Sequence, residues 1–325
     1  MTKHPNLSVI IPFLDEVESL PELYKWTVSV LEDASISFEL IFIDDGSQDA
    51  SWDWVTKTIA IDERVTGIRF LRNYGKSQAL HAGFLHCNGA VVCTMDADLQ
   101  DSPEELPALY QLIIGEGYDM VSGWKKRRFD SYLFKNLPSK VFNWAARRVS
   151  GIRLHDFNCG LKAYRSDVIK AIEVYGEMHR YIPVLAKQAG FKRIGEKVVT
   201  HQARKFGHSK FGPDRFVKGF LDLITLWFLQ RFGKGPMYFF GLIGSIMLLL
   251  GFTFSLYLGI DKLIITPEGR LIADRPQFYA ALTTMILGSQ FFLAGFIAEI
   301  IIRNRDHSQR YKIKDIKSHH NKEIT

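Results

Sequence analysis

Ala90-Val91-Val92-Cys93-Thr94-Met95-Asp96-Ala97-Asp98-Leu99-Gln100-Asp101 passes from apolar to acidic within one short stretch. The apolar part has the length of a strand. In extended chain, alternate side chains share a face, so Asp96, Asp98 and Gln100 are expected to point together beyond the strand end. Three oxygen donors of this kind suit a hard divalent cation, Mg²⁺ or Mn²⁺, of the sort that bridges substrate phosphates. A solvated turn can carry the same Asp-x-Asp, so its weight depends on what surrounds it.

Upstream, further apolar runs of strand length recur at Leu7 to Phe13, Phe38 to Ile43 and Val65 to Leu71. Segments of helical spacing separate them, among them Leu20 to Leu31 and Ser77 to His86. Strands alternating with helices predict an α/β domain with a mostly parallel sheet covered on both faces. Ligands of such sheets sit beyond the carboxyl ends of the strands. Each of the four strands ends there in a polar cluster: Pro12 and Glu16, then Asp44-Asp45-Gly46-Ser47-Gln48-Asp49, then Arg72-Asn73-Tyr74-Gly75-Lys76, then Asp96 and Asp98. Neither GxGxxG nor GxxxxGK[ST] occurs, which disfavours a dinucleotide dehydrogenase or a P-loop ATPase.

The C-terminal part is different. Pro236 to Ile260 has no charged residue, and Gln277 to Ile302 has one, Glu299. Each exceeds the roughly 20 residues needed to cross a bilayer as a helix, and the polar stretch Asp261 to Pro276 separates them. This predicts a two-helix transmembrane hairpin. Asp214 to Phe232 carries Phe216, Phe220, Leu223, Ile224, Trp227 and Phe228 at helical spacing, an amphipathic juxtamembrane helix. The start of the chain lacks a signal-peptide pattern. Basic residues flank the hairpin (Arg231 and Lys234 before it, Arg303, Arg305, Arg310, Lys312 and Lys314 after it), so the α/β domain and both termini are expected on the cytoplasmic side of the inner membrane. Three cysteines form no disulfide pattern and fit a reducing compartment. The net charge of +6 falls in Lys125 to Arg153 and in the tail. Beside a membrane hairpin such charge meets anionic lipid, and no nucleic-acid-binding motif accompanies it. The last residues are polar enough to be expected without structure.

The motifs Pro12-Phe13-Leu14-Asp15-Glu16, Asp44-Asp45-Gly46-Ser47, Asn73-Tyr74-Gly75-Lys76 and Asp96-Ala97-Asp98-Leu99-Gln100-Asp101, in this order and with this hairpin, resemble the family-2 inverting glycosyltransferases. More narrowly they resemble the polyprenyl-phosphate group, which includes dolichyl-phosphate mannose synthase and bacterial undecaprenyl-phosphate transferases. Glu299 and Arg303 resemble an acid and arginine ending the last helix of bacterial relatives, with Ala298 where those carry glycine. The resemblance implies a GT-A domain over 1–212, the juxtamembrane helix over 213–234, membrane helices within 235–303 (about 236–260 and 277–302) and a basic tail over 304–325.

It also implies roles. Pro12, Glu16, Asp44, Asp45, Lys76 and Asp96 would bind the nucleotide-sugar, although an acid such as Glu16 also suits a helix N-terminus. Asp96, Asp98 and Gln100 would hold Mg²⁺ or Mn²⁺, whose Lewis acidity helps the diphosphate leave. Asp98 and Asp156 are the catalytic candidates. Asp156 falls where relatives carry an aspartate proposed as general base, yet a phosphate monoester has a second pKa of about 6 and needs little deprotonation. Arg127, Arg128, Lys135, Ser139, Arg204, Ser209 and Lys210 are the candidates for the acceptor phosphate, Arg204 to Phe211 matching a Ser-Lys-aromatic pattern. The implied partners are a nucleotide-sugar, with UDP-glucose expected first and GDP-mannose, UDP-4-amino-arabinose or a UDP-N-acetylhexosamine as the alternative donors, polyprenyl phosphate, the membrane and, by analogy, a homo-tetramer. A processive polysaccharide synthase is disfavoured, since Gln230-Arg231-Phe232 does not match its Gln-x-x-Arg-Trp. Transfer to a non-lipid acceptor and a catalytically inactive scaffold remain the alternatives.

Overall fold

The computed structural model describes residues 5–126, 143–144, 146–148, 150–174, 176, 178–203, 205–206, 228, 235–303 and 313–318. The chain divides into two compact units, Met1–Leu226 with Gln309–Thr325, and Trp227–Ser308.

The first unit is built on strands β1 (Leu7–Phe13), β2 (Phe38–Asp44), β3 (Val65–Phe70), β4 (Val91–Thr94), β5 (Met120–Trp124), β6 (Lys162–Arg165), β7 (Ile194–Val198) and β8 (Ile313–Ser318). They form one sheet in the order β7-β5-β6-β4-β1-β2-β3-β8. β1 pairs in parallel with β2 and with β4, and β2 in parallel with β3. This half is what the alternating sequence predicts. Its strands read as largely apolar runs because helices cover both faces: Leu7, Val9, Ile10, Ile11, Leu40, Ile41, Phe42 and Ile43 have no exposed surface. Helices α1 (Leu20–Asp33), α2 (Ser51–Ile61), α3 (Lys76–His86) and α4 (Leu106–Ile114) connect and cover them, followed by the short α5 (Ser166–Ala171) and α6 (Ile182–Gln188).

On the other flank β6 runs antiparallel between β4 and β5, and β7 pairs in parallel with β5. The insertion brings Cys159 to Lys162, far along the chain, beside the end of β4. The tail departs from the expectation of no structure. β8 pairs antiparallel with β3, Ile68 opposite Ile316 and Thr66 opposite Ser318. An edge strand offers a row of open backbone groups, and six residues of tail satisfy that row whatever their polarity.

The second unit consists of α7 (Pro236–Ile260) and α8 (Pro276–Arg303). A wider turn with an i→i+5 hydrogen bond, Asp261–Ile265, continues the first helix into the stretch read as a connecting loop, and Asp261 is ion-paired with Arg275. The helices run antiparallel: a Cβ on Gly244 would meet the Gly288 carbonyl at 2.6 Å, and one on Gly251 would meet the Ala281 carbonyl at 2.8 Å. Small residues at such crossings let apolar helices approach closely. Both helices are long and apolar enough to cross a membrane, and the chain itself buries only 17% and 11% of their most apolar windows. Core helices of a soluble protein would be mostly covered. The expected juxtamembrane helix over 213–234 lies outside the described residues except for Phe228.

Candidate active site

Four loops meet beyond the carboxyl ends of β1 to β4, and carboxylates hold them together. Asp44 Oδ1 accepts the Ser47 N–H at 2.6 Å, and its Oδ2 lies 3.1 Å from Arg69 Nε. Asp45 takes the N–H groups of Tyr74 (2.7 Å) and Gly75 (3.0 Å). It thereby fixes the start of α3 and the position of Lys76. Burial raises both carboxyls above the usual range, Asp45 to about 6. Asp15, at φ 51, accepts the Gln48 N–H at 2.8 Å through its carboxylate and donates its own backbone N–H to the Ser47 hydroxyl oxygen at 2.9 Å. Gly46, at φ 84, passes so near Arg72 that a Cβ would lie 2.5 Å from the Arg72 carbonyl carbon. Glu16 is half-buried and receives the Ser19 hydroxyl proton at 2.9 Å. Pro12 is half-buried at the end of β1.

At the Asp-x-Asp the backbone differs from the expectation. β4 ends at Thr94, and Asp96 to Gln100 form a bend in which Leu99 adopts φ 59. Alternation survives in the burial: Met95, Ala97 and Leu99 are buried, while Asp96, Asp98 and Gln100 are half-exposed. The three donors are therefore left partly accessible while their apolar neighbours are anchored in the core.

Asp96 is ion-paired with Lys76 at the head of α3. Burial opposes its ionisation, but Lys76, Lys125 and Lys162 more than offset this and hold its carboxyl down at about 2. Gly160 lies against it, where an added Cβ would stand 2.5 Å from Asp96 Oδ2. Thr94 donates its hydroxyl to the Gly160 carbonyl at 2.8 Å, fixing that approach. Asp98 Oδ1 accepts the Gln100 N–H at 3.2 Å. Asp156 is buried, 1% exposed, with Oδ1 accepting the Asn158 N–H at 3.0 Å.

Several neighbours were not singled out from the sequence. Lys125, placed by sequence within a lipid-facing basic stretch, instead pairs with buried Asp101 at 2.6 Å. Lys162 is buried and donates to the Cys159 carbonyl, so it fixes the turn between Asp156 and Gly160. Burial and nearby Lys76 push its ammonium below the usual range. His179 accepts or donates through Nδ1 to the Ser77 hydroxyl at 3.0 Å. Burial holds it well below the ordinary histidine range. Gln202 donates to the Gln100 carbonyl at 2.9 Å, and His201 bridges Asp101. The segment leading to Arg204 is thus pinned to the acidic bend. Arg127, Arg128, Lys135, Ser139, Arg204, Ser209 and Lys210 themselves lie outside the described residues.

Among the described residues no three His, Cys, Asp or Glu side chains form a ready-made metal cluster. Two half-exposed carboxylates and an amide are instead a partial donor set. They fit a cation that keeps waters and takes its remaining oxygens from a phosphate ligand, as Mg²⁺ does.

The Glycosyl transferase family 2 pattern matches residues 8–173. The chain belongs to this family. It is 34% identical over 316 residues, 96% of this chain and 93% of the other, to a dodecaprenyl-phosphate galacturonate synthase of Rhizobium johnstonii. It is 36% identical over 299 residues, 92% of this chain and 88% of the other, to an undecaprenyl-phosphate 4-deoxy-4-formamido-L-arabinose transferase of Yersinia pestis. These alignments run through the apolar helices as well as the sheet. Among solved structures, glucosyl-3-phosphoglycerate synthase of Mycobacterium tuberculosis with bound uridine diphosphate superposes at TM-score 0.54 and 19% identity, over 70% of this chain and 80% of that one. That likeness establishes the GT-A type of fold. The same enzyme has been solved with Mn²⁺ and UDP-glucose, at TM-score 0.51 and 20% identity over 70% of this chain and 79% of that one.

Proposed function

We propose that this chain transfers a sugar from a nucleotide-sugar to the phosphate of a polyprenyl phosphate, at a membrane, with inversion at the anomeric carbon. The observation that carries this reading is the joining, in one chain, of the Asp96/Asp98 bend at the strand ends with two long, largely uncovered apolar helices. Relatives named for lipid-phosphate sugar transfer align with more than nine-tenths of this chain.

The nucleotide lies over the loops after β1 to β3. Asp44 and Asp45 are largely used up in holding those loops, so their contribution is chiefly to shape that floor, while Glu16 and Lys76 at its rim meet the donor. The ion pair with Asp96 keeps Lys76 aimed across the loops. When the donor's diphosphate arrives, Lys76 shares its protons between the carboxylate and a phosphate oxygen. Mg²⁺ or Mn²⁺ bound by Asp98, with Asp96 and Gln100, would supply the charge that lets the diphosphate leave. The acceptor phosphate is largely an oxyanion at neutral pH. One of its oxygens attacks the anomeric carbon as the bond to the diphosphate breaks, and the nucleoside diphosphate departs. No base is needed for that step. Asp156, 1% exposed, serves as an orienting group that shapes the 156–160 turn.

The chain leaves the first unit before the helices and returns to it after them. Two crossings bring it back to its starting side, and β8 hydrogen-bonds to β3. This supports a hairpin with the catalytic unit and the tail in one compartment, and the flanking basic residues favour the cytoplasm for it.

The test is transfer of radiolabelled sugar into an organic phase by the full-length protein with undecaprenyl phosphate. The donor panel starts with UDP-glucose, the expectation from sequence. It includes nucleotide forms of galacturonate and 4-deoxy-4-formamido-L-arabinose, the sugars in the relatives' names. Label extracted with one donor, and lost on Asp98→Ala, is the expected result. Metal-dependent turnover confined to water-soluble acceptors would overturn the lipid part.

A further inference from the structure

One basic pocket is used by none of these steps. Residues 143, 144, 146–148 and 150 are helical. Beyond them Arg147, Arg148, Gly151, Ile152, Arg153 and His155 line an open cavity of about 490 Å³. Arg148 and Arg153 are exposed and Arg147 half-buried. Among the described residues, none of these three guanidinium groups is ion-paired with a carboxylate. A helix C-terminus ordinarily repels anions, but here Lys187 donates to the last carbonyls, Ser150 at 2.9 Å and Gly151 at 3.1 Å. The nearby acid, Glu196, is fully engaged. Its Oε2 lies 2.7 Å from His155 Nδ1, and its Oε1 accepts the backbone N–H groups of His155 at 2.7 Å and Asp156 at 3.0 Å. His155 is further stacked on Trp124 at 4.1 Å. The wall of the pocket and Asp156 therefore hang from one carboxylate.

A second observation concerns the kind of ligand. Trp144 is 63% exposed, three and four positions before Arg147 and Arg148, and so on the same side of the helix. An exposed indole is at home at a lipid–water boundary. The charge also selects. A phosphate monoester carries close to two negative charges and three acceptor oxygens, which three arginine forks can match. A phosphodiester headgroup carries a single charge.

We infer that this pocket receives the phosphate monoester of a lipid-borne acceptor, with Trp144 resting at headgroup level, and delivers it to the turn that carries Asp156. The inference rests on the proposed lipid acceptor. Losing two or three arginine–phosphate contacts weakens acceptor binding about tenfold or more.

The test uses full-length protein in nanodiscs of zwitterionic lipid. The variants are Arg148→Gln with Arg153→Gln, and the triple variant adding Arg147→Gln. The first pair sits on exposed side chains and decides the matter if the triple variant fails to fold. KM for undecaprenyl phosphate is expected to rise about tenfold or more, with a much smaller change in kcat and in donor affinity. The same rise is expected after anionic phospholipid is added. An unchanged KM would overturn the inference. An effect seen only with anionic phospholipid would overturn it too, by assigning the pocket to bulk headgroups. If the parent protein moves no sugar to undecaprenyl phosphate, the proposed function fails and this inference falls with it. Parent transfer with an unaltered variant KM sinks the inference alone.

Discussion

Gly160→Ala tests how closely the acidic bend must be held. Gly160 lies in the turn between Asp156 and β6, and its backbone is fixed by Thr94 donating to its carbonyl at 2.8 Å. A Cβ there would stand 2.5 Å from Asp96 Oδ2, 2.6 Å from Cγ and 2.8 Å from Oδ1. Ordinary contact begins near 3.4 Å, so the carboxylate must retreat by about 0.9 Å or turn away from Lys76. A shift of about 1 Å at a reacting centre costs on the order of a hundredfold in rate, about 2.7 kcal/mol of transition-state stabilisation. Alanine is compatible with the backbone of this position, which is not among the glycines at positive φ. Folding stability should therefore fall by no more than about 1–2 kcal/mol. The assay is sugar transfer at saturating metal, with thermal unfolding of the same preparation. A loss of about a hundredfold in kcat/KM, with the thermal midpoint little changed, is the expected result. A folded variant with parental kcat/KM would refute the argument that the Asp96 carboxylate must be held against Lys76.

Asp45 gives a pH signature. Its carboxyl is raised to about 6 by burial, against the two backbone N–H bonds it accepts. An acid raised in the folded state binds its proton better there than in the unfolded chain. Its contribution to stability is thus present at low pH and lost as pH rises through about 6. Asp45→Asn keeps an acceptor for Tyr74 and Gly75. It should be more stable than the parent at pH 7.5, by up to about 3 kcal/mol, with the margin vanishing near pH 4; a variant less stable at pH 7.5 contradicts the account. Gly46→Ala combines φ 84 with a backbone clash of 2.5 Å and should lower stability by about 3 kcal/mol or more in thermal melts. In the hairpin, Gly244→Leu collides with the Gly288 carbonyl, whereas a Cβ at Gly259 meets nothing within 4 Å. The first should lower the melting temperature in detergent and Gly259→Leu should not; equal melting temperatures would argue against the close helix crossing.

The parallel half of the sheet was legible because its strands are mostly apolar, with only scattered polar residues such as Ser8, Glu39 and Arg69. Leu7 to Phe13 appears in the structure with the same limits, and Phe38 to Ile43 gains only Asp44. The other flank was hidden for a physical reason. β6 reads Lys-Ala-Tyr-Arg, and its buried Lys162 makes it look like surface. β8 belongs to a tail whose overall polarity gave no strand signal, and its place beside β3 is seen in the backbone pairing. In the site, the alternation is visible as burial, with Met95, Ala97 and Leu99 buried and Asp96, Asp98 and Gln100 partly exposed, in a bend where a strand end was expected. The Lys125–Asp101 pair and the approach of Gly160 to Asp96 join residues distant in sequence, and only the insertion of β6 between β4 and β5 brings them together.

The most direct test of the central claim is the mass of the lipid recovered after the full-length protein has acted on undecaprenyl phosphate with its donor and Mg²⁺ or Mn²⁺. The account predicts a lipid heavier by one sugar residue, its phosphate converted from monoester to diester, and none of it with undecaprenol, which lacks the phosphate. Unmodified undecaprenyl phosphate, recovered while the nucleotide is released and the sugar appears on a water-soluble acceptor, would contradict it.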